Sequence, residues 1–215
     1  MNPEGVEKIV QVKGKFIVLE GIDGSGKGTQ IERLKVYLET VRGVKTILTR
    51  EPSQGPLGTT IRQVLSGRIN GVNDNCLALL FAADRLDHNN NLVIPALEQG
   101  NYVICDRYIW SSFAYQGMKN DESWIGEINQ YAVKPDLTLF IKVSPETSLK
   151  RIAAGRFQTE IFENSETLRH VADNYQKLYK QWQKNGEPVV EINGEKEPEL
   201  VQQDIIAAFQ LYFPE

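Results

Sequence analysis

Cysteine and histidine are scarce, with two of each in 215 residues. Cys76 and Cys105 form no Cys-x-x-Cys pair and have no ligand-like histidine beside them. A disulfide scaffold and a structural zinc site are therefore not expected, and His88 and His170 alone make no zinc cluster. No apolar run approaches the roughly 18 residues that a membrane span needs. Basic residues are not in excess either: 24 Lys and Arg against 28 Asp and Glu leave a formal charge of −4. That balance argues against a general nucleic-acid partner, though local basic sites for small anions stay open. The first fourteen residues, MNPEGVEKIVQVKG, lack the apolar centre and cleavage site of a signal peptide. They read as a short extension, disordered or an edge strand, of a chain expected to be soluble and cytoplasmic.

What is present is an ordinary globular composition, 41% hydrophobic and 24% charged. Short apolar runs alternate with amphipathic stretches. The spacing predicts strands at 15–20, 44–49, 101–106, 137–142 and 188–192. Helices are predicted at 28–40, 59–66, 75–83, 92–99, 111–117, 123–132, from Pro145 onward, 166–184 and 197–213. The strand runs lack clean alternation, which implies parallel strands covered on both faces. The expected fold is a three-layer α/β/α architecture with about five parallel strands. Residues 15–215 read as one domain, with a lid near 150–165.

The sharpest local feature is Gly21-Ile-Asp-Gly-Ser-Gly-Lys-Gly-Thr-Gln30. It follows a predicted strand and opens a predicted helix, the context of a phosphate-binding P-loop. Glycines let backbone N–H groups converge on one phosphate, and the helix N-terminus adds partial positive charge. Gly21, Gly24, Ser25, Gly26, Lys27, Gly28 and Thr29 are the candidate ATP-binding residues. Lys27 is placed to bridge the β- and γ-phosphates. The residue after the lysine is Gly28 rather than the usual Ser or Thr, so direct ligation of Mg²⁺ is expected to be weak. Thr29 and Asp106, acting through water, are the candidate metal residues. No Asn-Lys-x-Asp guanine signature occurs, which argues against a GTPase.

Further motifs cluster at strand ends and on one helix: Arg50-Glu-Pro52, Phe81-Ala-Ala-Asp-Arg85, Asp106-Arg-Tyr108, then Ser111, Ser112 and Ala114-Tyr-Gln-Gly117. Strand ends face the ligand crevice in open parallel sheets. Together with the P-loop, these motifs resemble the thymidylate kinase family, from about Phe16 to the last helix. The resemblance implies Mg-ATP-dependent phosphorylation of dTMP to dTDP. It implies that Arg107 holds the monophosphate, Phe81 stacks on thymine, and Arg85 hydrogen-bonds a base carbonyl. Tyr115 would crowd the sugar 2′ position with Gln116 beside it, and Asp23 would approach the 3′-hydroxyl. Arg50, Pro52, Ser111 and Ser112 complete the candidate dTMP site. A core Phe81 beside a solvated Arg85, and a helix-capping Ser111, are the bland alternatives. His88 reads as a helix-surface residue with no catalytic role.

The acceptor is a phosphate oxygen, mostly dianionic at neutral pH because the second pKa lies near ~6. No strong base is needed, and catalysis falls to positioning and charge cancellation. Some family members carry a mobile arginine inside the P-loop, at the position of Gly24. Its absence here points to a lid arginine, with Arg156 for the transferring phosphoryl and Arg151 near the ATP adenine. A homodimer is implied by the resemblance alone. A kinase for another monophosphate, or a nucleotide-binding module with little turnover, are the alternatives.

Overall fold

The computed structural model describes residues 14–155 and 165–214. Arg156 and most of the expected lid lie outside the described residues, as do the first thirteen residues of the expected extension. Gly14, its last residue, is buried, and its N–H donates to the Leu97 carbonyl.

The elements follow the predicted alternation. Strand β1 (Phe16–Glu20) leads through the glycine-rich loop into helix α1 (Lys27–Thr40). Strand β2 (Thr46–Arg50) is followed by α2 (Pro56–Leu65) and α3 (Asp74–His88). Strand β3 (Tyr102–Asp106) precedes α5 (Ile109–Tyr115) and α6 (Glu122–Ile128). Strand β4 (Leu137–Lys142) precedes α7 (Pro145–Gly155) and α8 (Ser165–Lys184). Strand β5 (Val189–Asn193) and α9 (Pro198–Tyr212) end the described chain. One prediction changes shape. The helices expected at 75–83 and 92–99 are joined, because α3 runs on to His88 and passes through a π-helical turn (Asn89–Val93) into α4 (Ile94–Glu98). Pro95 sits in the first turn of α4, where its missing N–H costs nothing.

The sheet is wholly parallel, in the order β2-β3-β1-β4-β5. Strand β1 is apolar at every position up to Glu20 because both of its faces are covered. Ile17 and Leu19 pack with Leu34 and Leu38 of α1 and Ile205 and Phe209 of α9. Phe16 and Val18 point the other way, to Val93, Ala96 and Tyr108. A third cluster joins Trp110 and Ala114 of α5 to Phe140 and to the α8 stripe Leu168, Val171, Tyr175 and Leu178. The three-layer expectation is met. The ends of β1, β2 and β3 then bring Glu20, Arg50 and Asp106 to one edge, where the β1–α1 loop opens the ligand crevice. Among the described residues, no helix is long and apolar enough to cross a membrane.

Leu34 has no exposed surface and fills the layer between α1 and the sheet. Leu34→Ala is expected to lower unfolding free energy by about 2–5 kcal/mol, read by chemical denaturation.

Candidate active site

The glycine-rich loop adopts the conformation that its composition demands. Gly21, Gly24 and Gly26 have φ of 144°, 70° and 93°, values unfavourable for any residue with a Cβ. Gly26 caps α1 without a side chain, so the first-turn amides of the helix are open to an anion. Ser25 is buried beneath the loop. Lys27 folds back over it: Nζ donates to the carbonyls of Gly21 (2.9 Å) and Ile22 (3.0 Å) and lies 4.0 Å from Asp106 Oδ1. Burial, then the neighbouring Arg107 charge, pushes the Lys27 pKa down. Gly28 and Thr29 are exposed, and a Cβ built on Gly28 meets nothing within 4 Å.

Helix α7 sits directly on this loop. Ser148 Oγ donates to the Asp23 carbonyl at 2.6 Å, and a Cβ on Gly24 would lie 2.6 Å from the Ser148 carbonyl oxygen. Arg151, one turn on, donates to the carbonyls of Gly194 (3.0 Å) and Ser25 (3.4 Å). It thereby ties α7 to both the loop and the turn after β5.

Arg107, just past β3, is the one described non-glycine residue with positive φ, at 68°. Such a conformation costs on the order of 1–3 kcal/mol and persists only where the surroundings impose it. Here they do. Nη2 donates to Asp23 Oδ1 (2.9 Å) and Tyr115 Oη (3.2 Å), and Nη1 to Ser111 Oγ and Tyr175 Oη (both 3.2 Å). The guanidinium also lies over the Tyr115 ring, 5.1 Å from its centre. Behind it, the Glu20 carboxylate has no exposed surface. It accepts from the Tyr108 N–H (2.8 Å), the Ser111 N–H (3.2 Å), Ser111 Oγ (2.8 Å) and Tyr175 Oη (2.9 Å). Burial pushes the Glu20 pKa up, opposed by Arg107 and these donors.

Arg85 and Phe81 lie one turn apart on α3, as their spacing predicts. Phe81 is half-buried. Arg85 is not solvated. Its Nε and Nη2 both reach Glu51 Oε2 (2.9 and 2.6 Å), Nη2 also reaches the Tyr108 carbonyl (3.1 Å), and Nη1 reaches Ser112 Oγ (3.1 Å) and Asn129 Oδ1. Every donor of the guanidinium is thus engaged. The surface reading of His88 is corrected: the ring is buried, with Nε2 2.7 Å from Thr49 Oγ1 and Nδ1 3.3 Å from Glu51 Oε1. It lies inward because α3 continues past Ala83 and carries residue 88 onto the face of Phe81 and Arg85. The 51–55 loop is fixed by Asp84, whose carboxylate accepts from Ser53 N (2.7 Å) and Oγ (2.6 Å). Pro52 lies half-buried in that loop, Arg50 is exposed at its start, and Gln116 carries a buried amide oxygen without a partner.

The residues expected around dTMP therefore meet around two arginines, 85 and 107. Sequence reasoning missed Glu20, Glu51, Asp84, Asn129, Ser148 and Tyr175. Glu51 and Asp84 stood inside quoted motifs; the others gave no local signal. A cleft of about 510 Å³ opens beside the loop, touching Gly28, Arg50 and Asp106 and continuing past Glu32, Asp87 and His88. Its carboxylates make that extension a poor phosphate site.

The family model for thymidylate kinase matches residues 19–205. The chain belongs to the thymidylate kinase family. A probable thymidylate kinase of Thermococcus kodakarensis is 40% identical, over 91% of this chain and 97% of its own. The thymidylate kinase of Caldicellulosiruptor saccharolyticus is also 40% identical, over 80% and 86% of the two chains. A probable thymidylate kinase of Pyrococcus horikoshii is 42% identical over 78% and 83%. The family match extends from β1 through α8 and so covers the glycine-rich loop, both arginine clusters and the α8 stripe.

The raised Glu20 pKa has a signed consequence. The folded state binds this proton more tightly than the unfolded chain, so its contribution to stability falls as pH rises from about 4.5 through the raised value. Glu20→Gln is expected to remove that part of the slope in a plot of unfolding free energy against pH.

Proposed function

We propose that the chain transfers the γ-phosphoryl group of ATP to dTMP, yielding dTDP and ADP, within nucleotide biosynthesis. The observation that carries this reading is a pair of fixed cations, Lys27 at the start of α1 and Arg107 just past β3. Lys27 belongs to the donor loop and Arg107 to the acceptor side, and the Arg107 charge lies near enough to help push the Lys27 pKa down, while Asp23, ion-paired to Arg107, helps to hold the guanidinium charged. Two like charges held this near each other suit a site for two polyanionic substrates. Asp23 touches Arg107 from the donor loop itself, which links the halves.

In this reading the P-loop amides from Gly21 to Thr29 and Lys27 hold the ATP phosphates, and Arg151 borders the adenine. Arg107 grips the dTMP phosphate through its Nε–Nη2 edge, the geometry in which a guanidinium pairs two phosphate oxygens. Asp23 and Tyr115 flank the sugar, and Phe81 and Pro52 bound the base. Arg85, Ser111, Ser112 and Gln116 line the pocket, and Arg50 supplies further positive charge at its mouth. Because Arg85 is held at every donor, it reaches a thymine carbonyl only by sharing Nη1, whose partners are neutral. No general base acts: the acceptor oxygen arrives ionised, and the residues align it in line with the donor. Arg156 is assigned to the transferring phosphoryl group.

Mg²⁺ fits the donor set. Asp106 Oδ1 is buried without a hydrogen-bond partner, and among the described residues no cluster of three ligating side chains exists. Asp106 and Thr29 would hold the ion mainly through its waters, as suits a cation that dehydrates reluctantly, and it would supply charge neutralisation at the β- and γ-phosphates. A homodimer located in the cytoplasm, with residues 15–215 as one kinase domain behind a short 1–14 extension, completes the proposal.

ADP release with Mg-ATP and each of dTMP, dUMP, dAMP, dCMP, dGMP and thymidine tests the function. Selective turnover of dTMP is expected; faster turnover of dAMP or thymidine, or none at all, would overturn it. Arg107→Ala is expected to lower kcat/KM for dTMP roughly a hundredfold, since two charged hydrogen bonds are lost. Gly28→Ser has open space at its Cβ. It is expected to leave the fold intact and to lower the Mg²⁺ concentration giving half-maximal rate, measured by metal titration.

A further inference from the structure

We infer that Tyr175, on α8, is a positioning residue for Arg107: its hydroxyl, anchored on the buried Glu20 carboxylate, holds the Nη1 edge of the guanidinium so that the opposite edge meets the acceptor phosphate. The inference rests on the reading of Arg107 as the arginine that grips that phosphate.

The geometry divides the guanidinium into two sides. Nη1 is 3.2 Å from both Ser111 Oγ and Tyr175 Oη. Those two hydroxyls lie 2.8 Å from each other and 2.8 and 2.9 Å from the same oxygen of Glu20. A hydroxyl has one proton to donate and two lone pairs to accept with. Tyr175 therefore donates towards the carboxylate and accepts from Arg107, and the negative charge of Glu20 is passed to Nη1 without direct contact. The Nε–Nη2 edge is left with Asp23 and Tyr115 on Nη2, both from the substrate side. A phosphate arriving there competes with Asp23 for one nitrogen and meets a plane already oriented from behind.

Packing makes the tyrosine a fixed point. Its ring has no exposed surface, stacks on Phe140 at 5.6 Å and 15°, and meets Tyr115 edge-on at 6.4 Å. Removing the hydroxyl leaves these contacts in place, so Tyr175→Phe isolates the hydrogen bonds. Their loss also frees Arg107 from one of the contacts that impose its positive φ.

The test is isothermal titration of dTMP and of ATP into the full chain carrying Tyr175→Phe, Arg107→Ala or both, with steady-state kinetics beside it. Tyr175→Phe is expected to weaken dTMP about tenfold, as for a lost hydrogen bond to a charged group. ATP affinity should stay within about twofold, and KM for dTMP should change more than kcat. On the Arg107→Ala background it should cost nothing further, because its effect runs through that side chain. Unchanged dTMP affinity, equal losses for both nucleotides, or multiplying losses in the double variant would each overturn the inference. If Arg107→Ala itself leaves dTMP binding intact, the acceptor role of Arg107 falls, and the inference with it. If Arg107→Ala weakens dTMP and Tyr175→Phe does not, only the inference falls.

Discussion

A carboxylate removed from water, that of Glu20, ends the central strand, and the Arg107 side of the site is assembled around it. A buried charge survives only if hydrogen bonds replace its hydration. Glu20 obtains them from the first residues after β3 and from a helix far along the chain. The turn at Tyr108–Ser111 presents two N–H groups to one oxygen, and Arg107 stands immediately before it with its positive φ. Through the Ser111 and Tyr175 hydroxyls, the needs of that carboxylate also set one side of the Arg107 guanidinium. Asp23 then couples the bend to the donor loop.

A second charged core lies around Arg85. Glu51 bridges Arg85 and His88, both buried, and Asp84 pins the loop that carries Glu51's neighbours. With all its donors engaged, Arg85 cannot swing to follow a ligand. The P-loop lysine is held differently: Lys27 donates to two carbonyls of its own loop.

The parts of the site legible in the sequence were those whose constraint acts locally. Gly21, Gly24 and Gly26 must be glycine to reach their φ values, so the loop announced itself by composition. Phe81 and Arg85 share a face because four residues make about one turn. Arg107 stood at a strand end, where open sheets place ligands. The π turn that joins α3 to α4 was illegible, because a helix that widens by one residue keeps a helical pattern on either side. His88 was misplaced for the same reason: its inward face became apparent only once α3 was known to be continuous. The predicted helix at 166–184 said nothing of Tyr175, and nothing nearby indicates that its hydroxyl meets a carboxylate 155 positions earlier. Long-range polar pairing leaves no periodic trace.

The seating of α7 on the donor loop closes off one evolutionary route. A side chain at Gly24 would meet the Ser148 backbone, and a main-chain oxygen has nowhere to retreat while Ser148 Oγ remains bonded to Asp23. An arginine at this position, the arrangement associated with other family members, is therefore incompatible with the present docking of the helix. Placing a side chain there would require α7 to move back from the loop, breaking the Ser148 bond and the Arg151 tie. While the helix stays docked, residue 24 is held to glycine by a contact that itself makes no approach to a substrate.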